Sequence, residues 1–212
     1  MTLSPVVAPT EEPVTVLEAK QALRLDVVSN DEDEFVEARI GAARSVLSGP
    51  EGYTKRQLVT ATWRLGLAAF PAGSRPIVLP LPPLREVTAI QYVDVDGQLQ
   101  TWEASKYQVV APDPAPSGTY PEDAPRGRIY PAYGETYPST RDVPDAVRVT
   151  FLCGYGTPAE VPGLFKTAIL LVVGELYKHR EETVTGTIVA KVPLAAKTLL
   201  FGVRDRERLE AA

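Results

Sequence analysis

Apolar residues recur at helical spacing most clearly between Val161 and Glu182, where Phe165, Ile169, Val172, Val173, Leu176 and Tyr177 make one wide face. Pro162 suits the first turn of this helix, where a missing N–H costs little, and Lys178, His179 and Arg180 put cations where the helix dipole favours them. Two shorter helices are predicted near the start. Thr15-Val16-Leu17-Glu18 reads as a capping box opening a helix to about Arg24. Ser29-Asn30-Asp31-Glu32 reads as a second box. It precedes an acidic run to Glu34 and a face of Phe35, Ala38, Ala42, Val46 and Leu47, which stops at Ser48-Gly49-Pro50. Pro193 opens a last helix with Leu194, Leu199, Leu200 and Val203.

Between these helices the period changes to two. Gln57 to Phe70 reads as a long strand with Val59, Ala61, Trp63, Leu65 and Leu67 on one face. Arg75 to Pro80 is a short edge piece, because proline cannot donate to a ladder, and Pro82-Pro83 makes a stiff corner. Val87 to Val93 is a strand joined through an Asp96-Gly97 hairpin to Leu99–Trp102. Tyr107–Val110, Gly127–Pro131 and Ala146–Cys153 complete the strands. Ala111 to Pro125, with five prolines, reads as a projecting loop, and Gly154-Tyr155-Gly156 ends the sheet and returns the chain to helix. Thr183 to Ala190 is a Thr-, Val- and Gly-rich connection.

The expected fold class is α+β: a small α-helical bundle of two N-terminal and two C-terminal helices with a β-rich insertion between them. The strands give a sheet to pack on the central helix. In residue ranges, 1–14 is a flexible arm, 15–50 and 157–203 are the helical parts of one domain, 52–156 is the insertion, and 204–212 is a charged tail. At 212 residues the chain is long enough to bury most of its apolar surface, roughly 70%. No repeat with a solenoid period is visible.

Charge and composition narrow the function. With 27 acidic against 22 basic residues the net charge is −5, so no basic surface announces nucleic-acid binding, although an acidic surface can stand beside DNA in order to repel it. The single cysteine, Cys153, excludes an intramolecular disulfide and a cysteine-cluster metal site. No apolar run reaches the ~18 residues of a membrane span, since Lys166, Gly174 and Glu175 interrupt the best stretch. No signal peptide is recognisable at the N-terminus, and a soluble cytosolic product is expected.

No catalytic set emerges, and the chain is expected not to be an enzyme and to need no cofactor or metal. His179 is read as a helix-end cation, because a general base needs an orienting carboxylate and a nucleophile. Cys153 is read as a core thiol ending an alternating strand. Asp94 and Asp96 are read as turn chemistry, and Asp31 to Glu34 as a solvated first turn lacking the glycine and spaced oxygens of a calcium loop. Gly154-Tyr155-Gly156 lacks the Lys-Ser/Thr and the further glycine of a phosphate loop. Two groups remain as interaction candidates. Tyr120, Tyr130, Tyr133 and Tyr137, interleaved with prolines, form either a binding surface or rings anchored on the sheet. Arg204, Arg206, Glu207, Arg208 and Glu210 form either a frayed terminus or an arm that orders on a partner through arginine forks.

The order of signals resembles the head–tail connector, or adaptor, proteins of long-tailed bacteriophages and gene transfer agents. The resemblance is carried by Val16–Leu23 (VLEAKQAL), the acidic helix Asp31–Leu47 with Ala42-Ala43, and Gln57–Phe70 with Trp63 and Phe70-Pro71. It continues in Leu79–Leu84 (LPLPPL), Val87–Gly97 (VTAIQYVDVDG), Tyr107-Gln108-Val109, Val149–Tyr155 (VTFLCGY), Val161-Pro162 and Tyr177–Glu181. It covers about Thr15 to Phe201; the arm and the loop Ala111–Pro125 depart from it.

The resemblance implies a non-enzymatic virion protein of the head–tail neck, assembled in the host cytoplasm. It implies a homo-oligomeric ring, usually twelve-fold, that docks beneath the portal protein and receives the stopper or tail proteins, while genomic DNA passes through the lumen unbound. On this footing Arg204, Arg206, Arg208, Glu207 and Glu210 are portal-interface candidates. Tyr120, Tyr130, Tyr133 and Tyr137 are candidates for contacts with neighbouring subunits or the next ring. Alternatives are another neck component (a stopper or tail terminator), or a soluble protein, either a hydrolase or a carbohydrate- or protein-binding module, that uses the tyrosine-rich loop.

Overall fold

The computed structural model describes residues 1–114, 120–179 and 192–204. Residues 1–14 depart from the expected flexible arm, because β1 (Thr2–Val7) pairs antiparallel with β2 (Ala61–Leu67), from Thr2 opposite Gly66 to Val7 opposite Thr62. Pro5 lies within this strand. It is tolerated because β1 is an edge strand, with β2 on one side only and a register shift between Pro5 and Val7.

Helix α1 (Val16–Leu23) opens on the predicted box: the Thr15 hydroxyl accepts the Glu18 N–H at 3.1 Å and the Glu18 carboxylate accepts the Thr15 N–H at 2.7 Å. The second predicted box does not form. The Ser29 hydroxyl turns to Asp31, and α2 (Asp33–Leu47) starts after Glu32 without a side-chain cap. What holds this corner is Lys20, almost fully buried, which reaches the Asp33 carboxylate at 2.6 Å and the Ser29 carbonyl. The buried face of α2 is Val36, Ile40, Ala43 and Leu47, rotated from the predicted one; Ala38 is exposed and Phe35 half-buried.

Beyond α2 the strands are β3 (Ile77–Val78), β4 (Leu84–Val93), β5 (Leu99–Thr101), β6 (Tyr107–Val110), β7 (Arg128–Pro131) and β8 (Val147–Cys153). They build two antiparallel sheets, one in the order β1-β2-β8-β4-β5 and one in the order β3-β7-β6. After the sheets come α3 (Gly163–Lys178) and α4 (Leu194–Leu200), so the fold is mixed α+β with four α-helices among the described residues. Pro162 is the N-cap of α3 rather than part of its first turn, and Arg180 to Ala190 lie outside the described residues. No described helix is long and apolar enough to cross a membrane.

The sheets do not pack on α3 as the sequence suggests; the described residues form two cores. In the first, Val36, Ile40 and Leu47 of α2 meet Phe165, Ile169, Val172 and Val173 of α3 and Ala196 and Leu200 of α4. Helix α1 contacts both α2 and α3. The second core is drawn from both sheets: Leu65, Ile90, Val147, Val149 and Phe151 from the larger, Ile77 and Ile129 from the smaller, closed by Trp102. The physical reason is the period-2 alternation itself. β2 and β8 each have one apolar face, and the second sheet already occupies it.

Gly154 and Gly156 carry the chain between the cores. Both have positive φ, and Tyr155, set between them, turns away from the sheet to bury its ring at 5.2 Å from Phe165. A capping box unrecognised in the sequence follows at once: the Glu160 carboxylate accepts the Thr157 N–H at 2.7 Å and opens the 3-10 turn Pro158–Glu160.

The two boxes give the fold an acid-sensitive element. Hydrogen bonds from the Thr15 and Thr157 backbone hold the Glu18 and Glu160 carboxyls below the ordinary value of 4.5. Stability from a lowered pKa is present above the unfolded-state value and is lost as pH falls through the folded-state value. The melting temperature is therefore expected to fall below about pH 4.5, and a Glu18→Gln/Glu160→Gln double variant to show a shallower fall. Identical pH slopes in thermal melts of the two proteins would contradict this.

Candidate interaction surfaces

The predicted tail begins where α4 ends. Ala196, Leu200 and Val203 are buried and fix this end, while the Arg204 guanidinium lies 4.8 Å from the centre of the Tyr53 ring. Arg206, Glu207, Arg208 and Glu210 lie outside the described residues. Beneath Val203 sits Arg56, which is 4% exposed. Its Nε donates to the Val203 carbonyl and its Nη1 to the Ala124 carbonyl at 2.7 Å. Sequence reasoning missed Arg56, because an arginine between Lys55 and Gln57 carries no periodic or motif signal.

The four tyrosines are divided between different surroundings. Tyr120 packs against the helical core with the Arg85 guanidinium 5.6 Å from its ring centre. Tyr130 is half-buried in β7, opposite Gln108 of β6. Tyr133 stands fully exposed beside Gly134, whose φ is +81°. Tyr137 belongs to the β core. It stacks on Phe70 at 5.0 Å, near Trp102, and its hydroxyl donates to the Arg75 carbonyl at 2.8 Å and the Ile129 carbonyl at 3.2 Å. Burial pushes its phenol up to about 12. Of the four, Tyr133 alone offers its whole ring to a partner; Tyr137 is an anchored ring.

The described end of the proline-rich segment is not a projection. Ala124 is fully buried, and the Glu122 carbonyl accepts the Tyr155 hydroxyl at 2.6 Å. Residues 115–119 lie outside the described residues.

The chemically suggestive residues have structural roles. The Asp94 carboxylate accepts the Gln100 side chain at 2.8 Å and the N–H groups of Gln98 at 2.8 Å and Asp96 at 3.1 Å, so it closes the β4–β5 turn. The Gln100 bond, then the Gln98 bond, holds its carboxyl below the ordinary range. Cys153 is buried, and burial pushes its thiol well above the range of a reactive thiolate. His179 faces Glu175, one helical turn back, at 3.3 Å. In the acidic run, Glu32 accepts the Tyr177 hydroxyl at 2.7 Å and Asp33 pairs with Lys20. Among the described residues no three His, Cys, Asp or Glu side chains are grouped to hold a metal ion.

Open strand edges are a surface that the sequence reading did not single out. Val6 and Val7 on β1, Leu99 on β5, and Val109 and Val110 on β6 are exposed apolar residues on edge strands. Their signal in the sequence was apolar residues, four of them valines, without charged neighbours, at positions where natural edges often carry lysine.

No family model and no curated protein matches the chain. Solved structures do. The chain is similar to a chain in the neck of an empty GTA particle computed with C6 symmetry, at TM-score 0.73 and 24% identity, over 99% of this chain and 98% of the other. It is similar to one in the virion of a native gene transfer agent particle at TM-score 0.72 and 24% identity, and to one in the neck of a native GTA particle computed with C12 symmetry at TM-score 0.64 and 21% identity. Both of these cover 99% of this chain and 98% of the other. At these identities the likeness establishes a shared fold across nearly the whole length of both chains.

Proposed function

We propose that this chain is a structural protein of a particle neck, and within the neck the head–tail adaptor: a ring beneath the portal that joins the DNA-filled head to the stopper or tail. The observation that carries the reading is the end-to-end fold likeness to chains of GTA particles, two of them in necks computed with C6 and C12 symmetry. The ordered sequence signals between Thr15 and Phe201 support the finer assignment to the adaptor. In this reading residues 15–203 form the connector domain, a helical unit carrying the β-rich insertion 52–156, and the role is non-enzymatic. The described histidine, cysteine and acidic clusters have structural roles, which agrees with it.

The tail from Arg204 is the portal-binding arm. Arginine forks at 204, 206 and 208 suit carboxylates on a partner, and Glu207 and Glu210 suit its cations. Tyr133, with its exposed ring, and the half-buried Tyr120 and Tyr130 contact a neighbouring subunit or the next ring; Tyr137 is held in the β core. The net charge of −5 lets DNA pass without adhering.

Deleting 204–212 tests the arm. The buried Ala196, Leu200 and Val203 all precede the cut, so the shortened protein is expected to keep its melting temperature within a few degrees and lose portal binding in a pull-down. Full portal binding by the shortened protein would refute this assignment. Loss of binding to a stopper or tail protein instead would move the chain to another level of the neck.

A further inference from the structure

The root of the C-terminal tail and the root of the proline-rich loop meet on one side chain. Val203 and Ala124 are far apart in sequence from Arg56, by 147 and 68 residues, yet both of their carbonyls accept its guanidinium. The Tyr155 hydroxyl also lies against Arg56 and donates to the Glu122 carbonyl, two residues before Ala124. The base of this knot is fixed. The Arg56 carbonyl accepts the Gly49 N–H at 2.8 Å and the Ser48 hydroxyl at 3.2 Å, at the end of α2.

We propose that Arg56 is a positioning residue that couples the two roots, so that a partner engaging the tail also changes the order of the loop root. A guanidinium holds its donors in one rigid plane and keeps its charge under all ordinary conditions. Buried as it is here, each donor that loses its acceptor stays unpaired and desolvated. Because the backbone of Arg56 is pinned, the side chain cannot follow one carbonyl without leaving the other. Displacing Val203 therefore weakens the site that holds Ala124, and the reverse. The partner in this proposal is the portal of the reading above. The coupling itself is a property of this chain alone.

Hydrogen exchange on the full chain tests it, with the Ala124 N–H (to Pro121, 3.1 Å) reporting the loop root and the Val203 and Arg204 N–H groups (to Leu200, 3.3 and 3.1 Å) reporting the tail root. Arg56→Lys replaces the fork with a single ammonium. It is expected to speed exchange at both roots roughly tenfold or more, with amides of β8 and α3 within about twofold of wild type. Tyr155→Phe removes a hydroxyl that touches the loop root and Arg56 but no tail residue, and is expected to speed the tail reporters as well. Acceleration of one root alone by either variant overturns the coupling. If Arg56→Lys speeds β8 and α3 equally, the Tyr155→Phe result decides by itself. Adding portal to wild type separates this inference from the tail assignment: a portal that leaves the chain unbound removes the portal role, while coupled roots in the free chain still stand.

Discussion

Replacing Phe165 with alanine is expected to lower the unfolding free energy by about 3–5 kcal/mol. The ring is 1% exposed, lies against Tyr155, and sits on the face of α3 that meets α2 and α4. Truncation removes the transfer free energy of a whole ring and leaves a cavity that rigid helices on both sides cannot close. A domain holds only about 5–15 kcal/mol in all, so this one change takes a large share. Leu171→Ala on the same helix is the control. Leu171 is 39% exposed, and its loss should stay within about 1 kcal/mol. Urea unfolding of the two variants beside wild type reads the difference directly. Equal losses would mean that α3 does not bury the face described here.

Gly154→Ala is expected to cost roughly 2–5 kcal/mol, from two sources that act together. Gly154 has φ +119°, a conformation that side chains resist, and an added Cβ would stand 2.9 Å from the backbone of Thr60 and Val59. That neighbour is main chain, tied by the Thr60 N–H to the Gly156 carbonyl at 2.9 Å, so it has little freedom to retreat. Relief requires moving Tyr155, which also breaks its bond to Glu122. The damage should therefore appear in both cores, as faster exchange in β8 and in α3. A loss below about 1 kcal/mol, or exchange changes confined to one core, would contradict the account of Gly154 as the crossing point.

These two sites also mark what was legible in the sequence. The face of α3 was readable because Phe165, Ile169, Val172 and Val173 repeat at helical spacing, although Leu164, Leu170 and Leu171 add apolar residues outside that face. The face of α2 was misread. Its alanines and Phe35 spread apolar character around the helix, and the buried face is the one that meets α3 and α4. The Thr15 box was legible because its bonds are local; the Ser29 box failed because Asp31 competes for the same hydroxyl. β1 was hidden because 1–13 carries three prolines and two glutamates without periodicity, and only its pairing with β2 reveals an edge where Pro5 is harmless. The strands β2, β4 and β8 were visible by alternation. That their apolar faces close on a second sheet instead of α3 is a long-range fact that no local period encodes.

The interaction surfaces were less legible still. Sequence alone grouped four tyrosines, but a tyrosine beside prolines looks the same whether its ring is exposed, as at 133, or stacked on Phe70 with its hydroxyl satisfied, as at 137. Arg56 had no sequence signature, because its acceptors are backbone carbonyls contributed by distant segments.

The adaptor reading stands or falls on mass in solution. Light scattering would be measured on the protein alone and mixed with the portal of the same particle. The account predicts a free monomer or a ring that combines with portal in a fixed stoichiometric complex. A monomer that leaves portal unbound would contradict it, and would move the chain to another part of the neck.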